Sequence, residues 1–189
     1  MAQRAIIERK KSLRKYIKQL KQDRSDSWKS DASYRILSIP ESLDLFKSSN
    51  TVLLYHALPD EVQTAPFLDK WYGIKRIVIP LVVGDILELK LFSPDQVVPG
   101  YRGIPEPAPT AQTISPSEID LAVIPGVAFD PHCNRLGRGK GFYDKLIPNL
   151  KSPLIGLGFD FQVVDEIPVE IFDRKLDMVL TETYLFERI

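Results

Sequence analysis

Cysteine is nearly absent from the 189-residue chain: Cys133 stands alone, and His56 and His132 are the only histidines. A disulfide within the chain is therefore impossible, and a four-cysteine or Cys/His zinc site is excluded. Net charge is missing too, because 25 Lys and Arg balance 25 Asp and Glu. Overall charge thus points to no polyanionic partner, and no nucleic-acid motif stands out. No apolar run is long enough to span a membrane, and the first residues lack the apolar core of a signal peptide. The expectation is a cytoplasmic protein in a reducing compartment, with no membrane and no nucleic-acid partner.

What is present begins with a basic segment. Residues 1–24 carry nine Lys or Arg against Glu8 and Asp23. Apolar residues at Ile6, Leu13, Ile17 and Leu20, interrupted at the same spacing by Lys10, predict a helix with one apolar stripe. Its cationic remainder reads either as a solvated face or as a helix beside an anionic substrate. A second helix is expected over 25–35. A short one is expected from Pro40 to Phe46, since proline suits a first helical turn. Strands are expected over 51–57 (TVLLYHA), 76–82 (RIVIPLV), 86–92 (ILELKLF, an edge), 119–130 (IDLAVIPGVAFD, running into a loop), 154–160 (LIGLGFD) and 176–182 (LDMVLTE). Helices are expected over 67–73, closed by Gly73, and over 141–147. Five prolines and two glycines within 94–113 predict a shaped loop. Strands alternating with helices predict a single α/β domain over 1–189, with a mainly parallel sheet covered on both faces.

The chemistry concentrates at 135–144, RLGRGKGFYD. Glycines allow a tight turn that brings backbone N–H groups close to an anion. Arg138 and Lys140 can bond phosphate oxygens, and a following helix start adds donors. This is not a P-loop, because Lys140 is followed by Gly141 rather than Ser or Thr. It also lacks the position of the dinucleotide fingerprint near a first strand. From the residues alone, a turn with local glycine geometry and a phosphate site remain open alternatives.

An ordered set of segments carries a resemblance: KKSLR (10–14), YHALPDEVQT (55–64), RIVIPLVVG (76–84), YRGIPEP (101–107), PGVAFD (125–130), RLGRGKGFYD (135–144) and VEIFDRKLD (169–177). Nearly the whole chain is similar to the 5-formyltetrahydrofolate cyclo-ligases, also called 5,10-methenyltetrahydrofolate synthetases. The resemblance implies a three-layer α/β/α sandwich, and ATP- and magnesium-dependent conversion of 5-formyltetrahydrofolate into 5,10-methenyltetrahydrofolate with release of ADP and phosphate. It also implies a monomer whose partners are the folate and ATP.

By motif, the resemblance assigns Lys10 and Arg14 to ATP, together with Gly137, Arg138, Gly139, Lys140, Gly141, Phe142 and Tyr143. Arg138, Lys140 and Tyr143 are the expected catalytic residues. Glu61, Glu106 and Tyr143 are expected on the folate, and Asp144 and Asp173 on magnesium. Each has an ordinary alternative. Glu61 could cap a helix near Gln63, and Glu106 could be a rigid acidic turn between Pro105 and Pro107. Asp144 could charge a helix start. Asp173 could pair with the adjacent Arg174 and Lys175, where Asp177 competes. Of the aromatics near the motifs, Trp71 reads as core, while Tyr101 and Tyr143 could stack on folate rings. His56 reads as packing or a strand-end hydrogen bond, and Cys133 as incidental. Two residues depart from the family pattern: Phe142 replaces a frequent tyrosine, and Asn134 a usual glycine. Other classes to weigh are a phosphosugar- or coenzyme-A-type enzyme on a similar scaffold and a non-catalytic anion-binding module.

Overall fold

A computed structural model describes residues 2–22, 24–100, 103–171 and 173–188. In chain order the elements are α1 (Ala2–Gln22), α2 (Asp26–Ser42), α3 (Asp44–Ser48), β1 (Thr51–Leu53), α4 (Ala65–Trp71), β2 (Arg76–Val83), β3 (Ile86–Leu91), β4 (Val97–Pro99), β5 (Pro105–Pro107), β6 (Leu121–Pro125), β7 (Ala128–Phe129), β8 (Arg135–Leu136), α5 (Phe142–Leu146), β9 (Leu154–Leu157), β10 (Met178–Leu180) and β11 (Leu185–Glu187). Seven strands form the main sheet in the order β11-β10-β9-β6-β1-β2-β3. Neighbours from β10 to β2 pair in parallel, and β3 and β11 close the two edges antiparallel.

The strand residues explain the layers. Side chains alternate across a strand, and here both faces are apolar. Val52, Ile77, Ile79, Leu121, Val123, Ile155 and Leu180 join one core with Ile36, Leu37, Phe46 and Leu68 from α2, α3 and α4. The interleaved Leu53, Val78, Ala122, Ile124, Leu154 and Val179 join a second core with Leu146 of α5, Ile147 and Leu150. A sheet buried on both faces needs such near-continuous apolar strands, and the expected α/β/α sandwich follows. Helix α1 covers neither face. Its Leu13, Ile17 and Leu20 pack on Val127, Ala128, Leu136 and Ile167, so the predicted apolar stripe meets the short β7–β8 ribbon instead.

Several elements differ from expectation. The run 51–57 is strand only to Leu53, and the chain then leaves the sheet. The run 119–130 breaks at Gly126, where β6 ends and the separate β7 begins. Phe129 is fully buried there, and a Cβ on Gly126, Gly156 or Gly158 would come within 2.5, 2.6 or 2.8 Å of its ring. Three glycines therefore make room for one aromatic, which no local pattern announces. The proline-rich loop contains the β4–β5 ribbon. Pro40 falls in the last turn of α2 rather than opening a helix. Among the described residues, no helix is long and apolar enough to cross a membrane.

Strand order reverses at β1 and β6. The chain leaves β1 toward β2 on one side, whereas β6, β9 and β10 build outward on the other. Loops leaving adjacent parallel strands in opposite directions open a crevice beyond their carboxyl ends, where α/β proteins bind ligands.

Candidate active site

That crevice is a solvent-open cleft, the kind of concavity in which small ligands bind. Tyr55, His56, Leu58 and Glu61 line it from the loop after β1, and Pro125 and Gly126 from the end of β6. Pro105 and Glu106 of β5 and the whole stretch 137–144 complete the walls.

The glycine stretch is shaped by two left-handed residues. Gly139 has φ 90° and Gly141 φ 75°, conformations that cost other residues steric energy. Among the described residues, no acceptor is paired with the backbone N–H groups of residues 138–141. Such a run of unpaired donors is suited to an anion. The helix after it is short: α5 spans five residues, so the donors it adds are confined to one turn.

Arg138 ties this loop to the loop after β1. Its Nε donates to Glu61 Oε1 at 2.9 Å, and its Nη2 reaches Asp60 Oδ1 at 2.6 Å. Glu61 Oε2 also accepts the Leu58 N–H at 3.0 Å. Lys21 of α1 holds the other Asp60 oxygen at 3.0 Å. Burial works against the charge on Arg138, but Glu61 and Asp60 more than reverse it and raise its pKa. Asp60 shows the complementary balance: burial opposes its charge, and Arg138 and Lys21 pull its pKa down. Glu61 is thus not a helix cap, since α4 is preceded by Thr64.

A second knot lies under the loop. Arg135 donates from Nη2 to Asp144 Oδ1 at 2.5 Å and from Nη1 to the Pro125 carbonyl at 3.2 Å. Its guanidinium carbon sits 5.7 Å from the centre of the Tyr143 ring. Gly137 leaves space for it, because a Cβ there would stand 2.9 Å from Nη1. Arg14 of α1 donates from Nε to the Gly137 carbonyl at 2.8 Å and lies against Gly139. Burial, with Glu61 adding to it, pushes the Tyr143 phenol well above its usual range. It is therefore a hydrogen-bond donor rather than a base.

The turn leading into the loop is organised by Asp130, which is fully buried. Its carboxylate accepts the His132, Asn134 and Ile167 N–H groups and the Asn134 side-chain amide, all at 2.9–3.0 Å. Asn134 is therefore a clamp. The positive φ that a glycine would ease falls at Cys133 (φ 61°) instead. Burial raises the Cys133 thiol pKa, in line with a packed rather than a nucleophilic thiol.

The expected site residues are not all in one place. Arg14, Glu61, Glu106, Arg138, Lys140, Phe142, Tyr143 and Asp144 gather at the cleft. Lys140 is exposed and makes no ion pair among the described residues. Lys10 and Asp173 are paired with each other instead. Lys10 Nζ lies 2.7 Å from Asp173 Oδ2 and 2.9 Å from Glu170. Asp173 thus pairs neither with Arg174, which donates to the Ile147 and Leu150 carbonyls, nor with Lys175. Asp173 shares a small neighbouring cavity with Asp144 and Arg135. Among the described residues, no three His, Cys, Asp or Glu side chains converge as metal ligands would. Trp71 is core, edge-on to Phe46 at 4.9 Å, and Tyr101 lies outside the described residues. Arg135 and Asp60 went unassigned in the sequence, although the spacing Arg135, Arg138, Lys140 held a signal for the first.

Comparison with known proteins places this geometry. Residues 6–182 match the model of the 5-formyltetrahydrofolate cyclo-ligase family. The 5-formyltetrahydrofolate cyclo-ligase of Escherichia coli K12 is 31% identical over 148 residues, covering 74% of this chain and 81% of the relative. A probable 5-formyltetrahydrofolate cyclo-ligase of Schizosaccharomyces pombe is 30% identical over 167 residues, 78% of this chain and 80% of its own. The solved structure of Aquifex aeolicus 5,10-methenyltetrahydrofolate synthetase superposes with a TM-score of 0.86 at 32% identity, covering 94% of this chain and 92% of that one.

Proposed function

The chain belongs to the 5-formyltetrahydrofolate cyclo-ligase family, and on that premise we propose how its cleft performs the family reaction. Its activity is the closure of 5-formyltetrahydrofolate to 5,10-methenyltetrahydrofolate, with ATP dependence implied by the chemistry. One observation carries the residue assignment: the glycine loop and Glu61 form facing parts of a single cleft and are joined through Arg138.

A formamide carbon is a poor electrophile, and ring closure must expel its oxygen. Transfer of the γ-phosphoryl group of ATP to that oxygen makes it a leaving group. N10 then attacks the formyl carbon, and phosphate departs as the C–O bond breaks. Charge grows on the transferring oxygens and on ADP, where fixed donors and cations lower the barrier. Arg138, Lys140 and the unpaired N–H groups of the loop are placed to supply them, with Arg14 supporting from α1. Gly137, Gly139 and Gly141 let the backbone approach, and Phe142 and Tyr143 close the loop side. Glu61 offers oxygens to the N–H edge of the pterin, while Glu106 and the Tyr143 ring line the folate wall. Lys10 and Asp173 would reach the nucleotide or a metal only by exchanging the partners they hold.

Magnesium takes oxygen ligands, mostly from phosphates and water, with one or two carboxylates. Asp144 fits this demand: it lines the cleft, is half exposed and commits Oδ1 to Arg135, which leaves Oδ2. Asp173 fits less well, since its Oδ2 accepts both Lys10 and the Glu170 N–H. When bound, the ion would neutralise phosphate charge. The proposal extends to a single-domain, monomeric, cytosolic enzyme without a nucleic-acid partner; the buried lone thiol and zero formal net charge support it.

The test is turnover with ATP, magnesium and 5-formyltetrahydrofolate. Methenyl product and ADP are expected in equal amounts, and product without ATP consumption would refute the mechanism. Asp144→Asn should shift the magnesium titration upward by about tenfold or more. An unchanged magnesium curve with a lowered melting temperature would leave Asp144 only as the anchor of Arg135.

A further inference from the structure

One acid in the cleft is spoken for by nothing. Glu106 is 9% exposed and lines the cleft from β5. Among the described residues, its carboxylate has no hydrogen bond or ion pair. The other two acids of the cleft are committed, Glu61 to Arg138 and the Leu58 N–H, and Asp144 to Arg135. The setting of Glu106 is also rigid. Pro105 and Pro107 flank it, and it pairs with Val98 across the β4–β5 ribbon. Gly100 closes behind it, since a Cβ there would stand 2.3 Å from the Glu106 carboxyl carbon. Glu106 therefore presents its carboxylate to the cleft without a protein partner among the described residues. A group held this way in an enzyme cleft is readied for something that arrives with the substrate.

The reaction leaves one proton without an acceptor. N10 bears a hydrogen, and the methenyl bridge does not. As the N10 lone pair forms its bond to the formyl carbon, the nitrogen becomes cationic and strongly acidic. A carboxylate is then a strong enough base to take the proton. We propose that Glu106 is the general base that removes the N10 proton during ring closure, which rests on the assignment of this cleft to the folate. The N10–H electron pair stays on nitrogen and the proton goes to a Glu106 oxygen. The new C–N bond forms, the C–O bond breaks, and phosphate leaves with that electron pair. Glu106 then returns its proton to the departing phosphate or to water. His56 is the rival acceptor. Its Nε2 is buried and also unpartnered, but burial lowers the basicity of this ring, which lies edge-on to Phe92 at 5.7 Å.

Glu106→Gln keeps the shape and removes the basicity. Methenyl formation should fall about 100-fold or more, with KM for ATP and for the folate within a few-fold of the parent. Glu106→Ala should be similarly slow and be partly restored by added formate, a carboxylate small enough for the vacated space. The melting temperature of Glu106→Gln should hold or rise, because the lost charge had no partner. Three outcomes would overturn the assignment: a raised folate KM with kcat retained, which makes Glu106 a binding group only; full activity, which moves the base to His56 or water; or a collapsed fold in both variants. The parent enzyme is assayed alongside. Should it form no methenyl product with ATP, the folate assignment of the cleft fails first, independently of Glu106.

Discussion

Lys140→Met is expected to lower kcat by about 100- to 1000-fold while leaving the melting temperature where it is. The size follows from the proposed role of the ammonium, stabilising charge that grows on phosphoryl oxygens; deleting one such contact typically has this effect. The intact fold follows from its surroundings. Lys140 is exposed, on a glycine turn, and makes no ion pair among the described residues, and surface changes away from structural contacts are nearly neutral. Methionine keeps the length of the side chain, so the comparison isolates the charge. Purified variant and parent should be compared by steady-state kinetics in ATP and by thermal melting. Full kcat together with an unchanged ATP KM would remove Lys140 from the phosphate site.

Arg138→Met should be worse, because the proposed function gives this cation two roles. The variant would lose the proposed phosphate contact, so turnover should drop by at least a comparable factor. It also strands Glu61, whose side chain is only 8% exposed, while Asp60 keeps Lys21. Removing one partner of a fully buried ion pair costs about 3–5 kcal/mol. With the Arg138 side chain 32% exposed, solvent screening reduces this to about 1–3 kcal/mol. For a chain of this size that is several degrees of melting temperature. Adding Glu61→Gln to Arg138→Met should recover much of the stability, since the stranded charge is gone, but none of the turnover. A variant that melts like the parent would show that the Arg138–Glu61 bridge contributes nothing to the folded state. Retained turnover would show that Arg138 does not meet the phosphates.

These two cations, two positions apart in one loop, illustrate where the sequence was legible. GRGKG announced a tight glycine turn, and the structure bends it with left-handed residues at Gly139 and Gly141. Nothing in the local pattern separated Arg138, bound to Glu61, from Lys140, which is not. The same holds for Lys10. The family resemblance assigned it to ATP, and Glu170 and Asp173 lie against it in space. Boundaries were legible only where one force acted alone. The run 51–57 looked like one strand because it is apolar throughout, but only Thr51–Leu53 pairs in β1. Tyr55 remains buried outside the strand, in the loop that walls the cleft.

By itself, the sequence determined the α/β class, the two-faced apolar strands, the glycine turn and, through the ordered motifs, the family. These rest on local rules: side-chain alternation, glycine conformations and the spacing of cations within one loop. Tertiary structure alone decided that β1 and β6 meet where the strand order reverses, and hence that Glu61 faces Arg138 from 77 positions away. It alone decided that Glu106 enters the cleft unpaired, that Phe129 fills the space three glycines leave, and that Lys10 is already neutralised. Each depends on which distant groups arrive within a few ångströms once both faces of the sheet are buried. Coulomb and packing energies at such range are set by that arrangement and not by neighbours along the chain.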